Sequence, residues 1–154
     1  NEERIEANYF AGKAYLALNN TDKAYAAFSK AAQLTTNVIG VESRFIMADI
    51  LYQKGKLDDA KKQCLEIVND LPAYEEWVIR SYILLADISA ARGEYAQAKA
   101  SLRSIIDNYT GDPQLVELAK MKLAQIEQLE QGAKRIEQQN GVPDTNPDEL
   151  EFNK

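Results

Sequence analysis

The chain has 154 residues, 45% of them hydrophobic and 27% charged, with a formal net charge of −6, no histidine and one cysteine. The missing His removes the commonest general base and metal ligand, and a single Cys permits neither an internal disulfide nor a Cys/His zinc site within one chain. The acidic balance without a basic run argues against nucleic acid as the principal ligand, and no apolar stretch of about 18 residues exists to span a membrane.

Taken in order, the periodicity predicts seven helices. The first runs over about 4–18 and the second over 22–34, with Asn19-Asn20-Thr21 as the turn and capping segment between them. The third covers about 41–54 and stops at Gly55, a C′ position, while the fourth covers 57–70 and halts before Pro72. The fifth, over about 75–92, ends at Gly93, and the sixth runs over 95–108. Asp112-Pro113 then sets an N-cap with Pro at the first helical position, opening a seventh helix over 113–131.

Three stretches carry one ladder of side chains: Gly12, Tyr15, Ala24, Phe28, Ala31; then Ala48, Leu51, Ala60, Cys64, Ile67; then Ala86, Ser89, Ala98, Leu102, Ile105. The spacings within the three sets are identical, so the chain reads as a stack of like units rather than one closed core. Two helices joined by a short turn approach closely only where small residues face each other. A Gly or Ala on the first helix must therefore meet Ala24, Ala60 or Ala98 on the second.

This arrangement resembles the tetratricopeptide repeat: Ala11-Gly12, Met47-Ala48 and Leu85-Ala86 occupy the large-small pair, and Phe28 and Pro72 fill the aromatic and closing-proline slots. Departures exist as well. The family's opening Trp is Asn8, Arg44 and Tyr82 here, its closing Pro is Thr36 and Thr110 in the outer repeats, and Cys64 takes the aromatic slot of the second as a buried small apolar side chain. The register stretches to thirty-six residues from Ala24 to Ala60 and thirty-eight from Ala60 to Ala98, with the insertions placed at 35–40 and 73–77. The resemblance implies an all-α, right-handed α-α superhelix over 1–131, with repeats at about 5–38, 41–74 and 79–112 and a capping helix over 113–131. Residues 132–154 are expected to form a polar tail, with Val142, Leu150 and Phe152 as apolar anchors.

In that family the first helix of each unit lines a concave groove. Register places Tyr9, Lys13 and Leu16, then Phe45, Asp49 and Tyr52, then Ile83, Asp87 and Ala90 in the groove, with Met121 and Gln125 added by the capping helix. The bland alternative is that these are partly buried packing positions. Asp49 and Asp87 would repel a carboxylate and favour Lys or Arg on a ligand, unlike the sub-class of the family that grips a C-terminal carboxylate.

The resemblance thus implies a non-catalytic protein- or peptide-binding scaffold without cofactor. The alternative is a structural or self-associating C-terminal segment of a longer solenoid, either a homo-oligomer or a unit packed on a preceding repeat; exposed apolar surface around Ile5 and Phe10 would mark that class. Asn1 in place of Met fits an excised or processed piece. The stretch EEWVIRSYILLADISAARGEYAQAKASLRSIIDNY is similar to repeats near the C-termini of large Gram-negative cell-envelope proteins of the family, which implies an envelope scaffold. No phosphate loop or nucleophile elbow occurs. Asp144, Asn146 and Asp148 follow calcium-loop spacing, but Glu149 stands where that loop needs Gly. The acidic pairs Asp58-Asp59 and Glu75-Glu76 sit at helix starts, where the macrodipole explains them.

Overall fold

A computed structural model describes residues 1–141. Within them lie seven helices and no strand: α1 (Glu2–Ala17), α2 (Thr21–Leu34), α3 (Val38–Gln53), α4 (Leu57–Asp70), α5 (Glu75–Ala91), α6 (Tyr95–Asn108) and α7 (Pro113–Gly141).

The three tight turns share one chemistry. Asn19, Gly55 and Gly93 adopt positive φ (56°, 76° and 78°) just after α1, α3 and α5. The next residue's N–H then reaches back to the carbonyl of Tyr15, Leu51 or Ser89, at 2.8, 2.9 and 2.9 Å. Left-handed closure of this kind satisfies the orphan carbonyls and reverses the chain in a few residues, which makes the second helix of each pair antiparallel to the first. Asp112 caps α7 as its sequence position suggests, its carboxylate accepting from the Gln114 N–H at 2.9 Å.

Two boundaries differ from the sequence reading. α3 starts at Val38 because the Asn37 side chain accepts from the N–H groups of Ile39 and Gly40, at 3.0 and 3.3 Å. Gly40 sits so close to the end of α2 that a Cβ there would lie 2.1 Å from the Thr35 carbonyl oxygen, so much of the supposed insertion is a capped first turn. α7 runs to Gly141, ten residues beyond the expected end at 131, so residues 132–141 belong to a helix and not to a tail. Beyond Gly132 come good helix formers, Glu130 and Lys134 pair one turn apart at 3.1 Å, and no proline interrupts before Pro143. The proposed anchors Val142, Leu150 and Phe152 and the calcium-like spacing at Asp144, Asn146 and Asp148 lie outside the described residues.

Each helix packs on its chain neighbours, and each odd-numbered helix also touches the next odd-numbered one. Among the described elements the even-numbered helices do not touch one another. Odd helices therefore form the inner layer of a curved stack, and even helices the splayed outer layer. The ladder supplies the core: Ala24, Ala60 and Ala98 are fully buried, and Phe28, Cys64 and Leu102 fill the three clusters around them. Burying Phe28 or Leu102 is worth about 1.5–3 kcal/mol each.

Between units a second set of positions recurs at thirty-eight residues. Ser43 and Ser81 are fully buried where consecutive units meet, and each returns its hydroxyl proton to the carbonyl four residues back, at 2.7 Å. Ala119 stands at the same position of α7, also fully buried. Lys54 and Arg92, one residue before the turn glycines, reach back to Asp22 and Asp58 in the first turn of the preceding outer helix. At the corresponding place in α7 the sign is exchanged, with Glu130 meeting Lys99 of α6.

Candidate functional site on the inner helix layer

The inner layer carries three polar or aromatic junctions, one between each pair of neighbouring odd helices. Between α1 and α3, Lys13 donates to Glu42 at 2.8 Å and lies 5.3 Å from the Tyr9 ring centroid. The Glu42 carboxylate holds the Lys13 ammonium above its usual range, with Tyr9 adding to it. Burial first, and Glu42 second, push the Tyr9 phenol up. Lys13 is therefore already neutralised within the chain. Leu16 is half-buried and packs with Tyr9 against the Ala24–Phe28 cluster.

Between α3 and α5 the junction is aromatic. The Phe45 and Trp77 ring centroids lie 5.6 Å apart, and the Arg80 guanidinium sits 5.4 Å from the Trp77 ring while bonding Glu76 at 3.2 Å. Asp49 and Tyr52 follow Phe45 along α3, one turn apart, both half-buried. Asp49 makes no salt bridge among the described residues. Its negative charge adds to the burial that pushes up the Tyr52 phenol, the Asp87 carboxyl and the Cys64 thiol, the last to about 12.

Between α5 and α7, Asp87 and Lys122 pair at 3.0 Å. Burial raises the Asp87 carboxyl above the ordinary carboxylate range, and Lys122 opposes that shift. Met121 and Gln125, assigned to the groove by register, are exposed. Ile83 and Ala90 are not groove residues: at 3% and 6% exposure they belong to the core that α5 shares with α6 and α7. Where α7 closes over α5, the positions that would open towards a ligand become packing positions.

Of the two groove carboxylates expected to attract a cation, Asp87 already has one. The residue missed was Lys122, whose charge opposite to Asp87 on the adjacent inner helix was the available signal. Glu42, Trp77 and Arg80 were missed too, since none of them lies on the ladder that set the register.

No group of three or more potential metal-ligating side chains occurs among the described residues. The buried Cys64 thiol stays protonated at neutral pH. Outside the inner layer, a groove of about 610 Å³ between α5 and α6 is lined by Ile79, Tyr82, Ser104 and Tyr109 among others, with no charged side chain in its wall.

Residues 5–37 and 80–111 each match a family model described as tetratricopeptide repeat. The chain carries tetratricopeptide repeats. No match was found among curated proteins or among solved structures. Tetratricopeptide repeats generally mediate protein–protein interaction and act as non-catalytic scaffolds. No helix among the described residues is long and apolar enough to cross a membrane.

Proposed function

We propose that this chain is a binding scaffold whose inner layer takes a protein segment presenting a Lys or Arg side chain to Asp49. The observation that carries the reading is the half-buried Asp49 carboxylate, without a cation among the described residues while Lys13–Glu42 and Asp87–Lys122 are closed on either side of it. Phe45 and Tyr52 flank it by one turn each way, which suits the aliphatic stem of a basic residue and adds a cation–π contribution.

Selection from a displayed peptide library tests this directly. The enriched peptides should carry a basic residue beside apolar ones, and Asp49→Lys should weaken them while leaving the helical circular dichroism unchanged. Enrichment of acidic peptides, or undiminished binding by Asp49→Lys, would defeat the reading.

A further inference from the structure

The four most exposed large apolar side chains among the described residues are Leu18, Phe10, Ile136 and Leu129, at 75%, 62%, 60% and 58% exposure. All four lie on or directly after the two end helices, α1 and α7.

On α1, Phe10 and Leu18 share one stripe with Glu3, Ala7 and Ala14, all exposed and on the side opposite the buried Gly12. The same face is covered in the next unit. Ala7 and Ala14 stand thirty-six residues before Ser43 and Ile50, and Ile50 is buried in a cluster with Ala24, Phe28 and Ala32 of α2. On α1 the corresponding face is exposed and, among the described residues, carries no helix.

On α7 the complementary stripe is Met121, Gln125, Leu129, Gly132 and Ile136. Read from Ile136 backwards its steps are four, three, four and four residues, the same series as Glu3, Ala7, Phe10, Ala14, Leu18 read forwards. We propose that α1 of one copy docks antiparallel on α7 of a second copy, so that the chain associates head to tail. Phe10 then meets Leu129, Leu18 meets Met121, and Ala7 meets Gly132.

Two further observations select this occupant. Gly132 is a helix-interior glycine that no contact among the described residues demands, since a Cβ there would meet nothing within 4 Å. Glycine weakens a helix interior, and the close approach of a second helix over Ala7 gives it a purpose. Charge agrees as well: Glu2, Glu3 and Glu6 crowd the start of α1, Lys134 and Arg135 lie near the end of α7, and antiparallel docking brings the two together. Arg135 makes no ion pair among the described residues, whereas Lys134 is held by Glu130 at 3.1 Å. Because the two faces differ, each copy keeps one face free after docking, and the association continues into rings or filaments.

Sedimentation of the 154-residue chain over a dilution series is the test. The average mass should climb past that of a dimer with concentration, and Phe10→Glu and Leu129→Glu should each be monomeric alone. Mixed, those two variants should form a one-to-one heterodimer and stop there, since each supplies the face that the other lacks. A wild-type chain that stays monomeric overturns the proposal. A self-dimer of Phe10→Glu would mean pairing of α7 with α7, and a self-dimer of Leu129→Glu pairing of α1 with α1; either also overturns it. Should a variant lose its helical signal, Glu3→Lys decides: it should weaken association at low salt, and the added change Arg135→Glu should restore it. No weakening by Glu3→Lys counts against the proposal.

Discussion

Phe28 closes over Gly12 so tightly that a Cβ on Gly12 would lie 2.7 Å from the aromatic ring. The other two units use Ala48 with Cys64 and Ala86 with Leu102 at the same places, so the largest partner in the outer helix accompanies the smallest residue in the inner one. Gly12→Ala should therefore lower stability by about 1–3 kcal/mol, although alanine is the better helix former. Urea unfolding measures it. The double change Gly12→Ala with Phe28→Leu should cost less than the two single changes added together, as expected of residues in contact. Strict additivity would show that the ring and the glycine are energetically independent.

Cys64 offers a probe of the middle unit. Burial, with a smaller contribution from Asp49, pushes its thiol to about 12, so the reactive thiolate is scarce at neutral pH. Alkylation of the native protein should be slow and should accelerate with urea in step with global unfolding. Labelling much faster than unfolding would mean that the α3–α4 pair opens by itself.

The ladder was legible because one physical demand, close approach of paired helices, repeats three times at fixed spacing. Gly55, Gly93 and Asp112-Pro113 were legible because backbone conformation dictates those residue types. The extent of α7 was not, since Gly132 and the polar residues after it read equally as a tail; only the helix itself shows Ile136 on the stripe of Leu129. Ile83 and Ala90 were misplaced because register along one helix carries no information on how far the next inner helix closes over it. The links from Lys54 to Asp22 and from Arg92 to Asp58 were present in the sequence as basic–Gly pairs thirty-eight residues apart. A macrodipole explanation for Asp58 hid its second role.

The Asp87–Lys122 pair makes a prediction with a defined sign in pH. Burial holds the folded-state Asp87 carboxyl above its ordinary value, so the folded chain binds that proton more tightly than the unfolded one. The resulting stabilisation is present below the unfolded value of about 3.9 and is lost as pH rises through the folded value. Lys122 offsets the cost of the ionised form, so Lys122→Ala should destabilise by about 1–3 kcal/mol at neutral pH. That cost should shrink at a pH below the raised folded value, where Asp87 has taken up its proton. In the Asp87→Asn background Lys122→Ala should show no such pH dependence. An equal cost at both pH values would place the effect in lost packing of the lysine stem instead.

Asp49 carries the prediction for binding. Its carboxylate is half-buried and has no cation partner among the described residues, whereas Lys13 and Asp87 are each held by a partner at 2.8 and 3.0 Å. Asp49→Asn should weaken a selected basic peptide modestly, by about 0.2–1 kcal/mol if the ion pair stays solvated, and by more only if the peptide excludes water from it. Asp49→Lys should weaken it further by adding repulsion, and added salt should reduce the difference between the two proteins. Asp87→Asn is the informative control. Because Lys122 already neutralises Asp87, removing that carboxylate frees a cation beside the groove and should also weaken a basic peptide, though by an indirect route that Asp87→Asn combined with Lys122→Ala should cancel. Calorimetric titration of the wild type and the four variants at low and high salt separates these effects. If Asp87→Asn weakens binding and Asp49→Asn does not, the cation sits at the α5–α7 junction and the assignment to Asp49 is wrong.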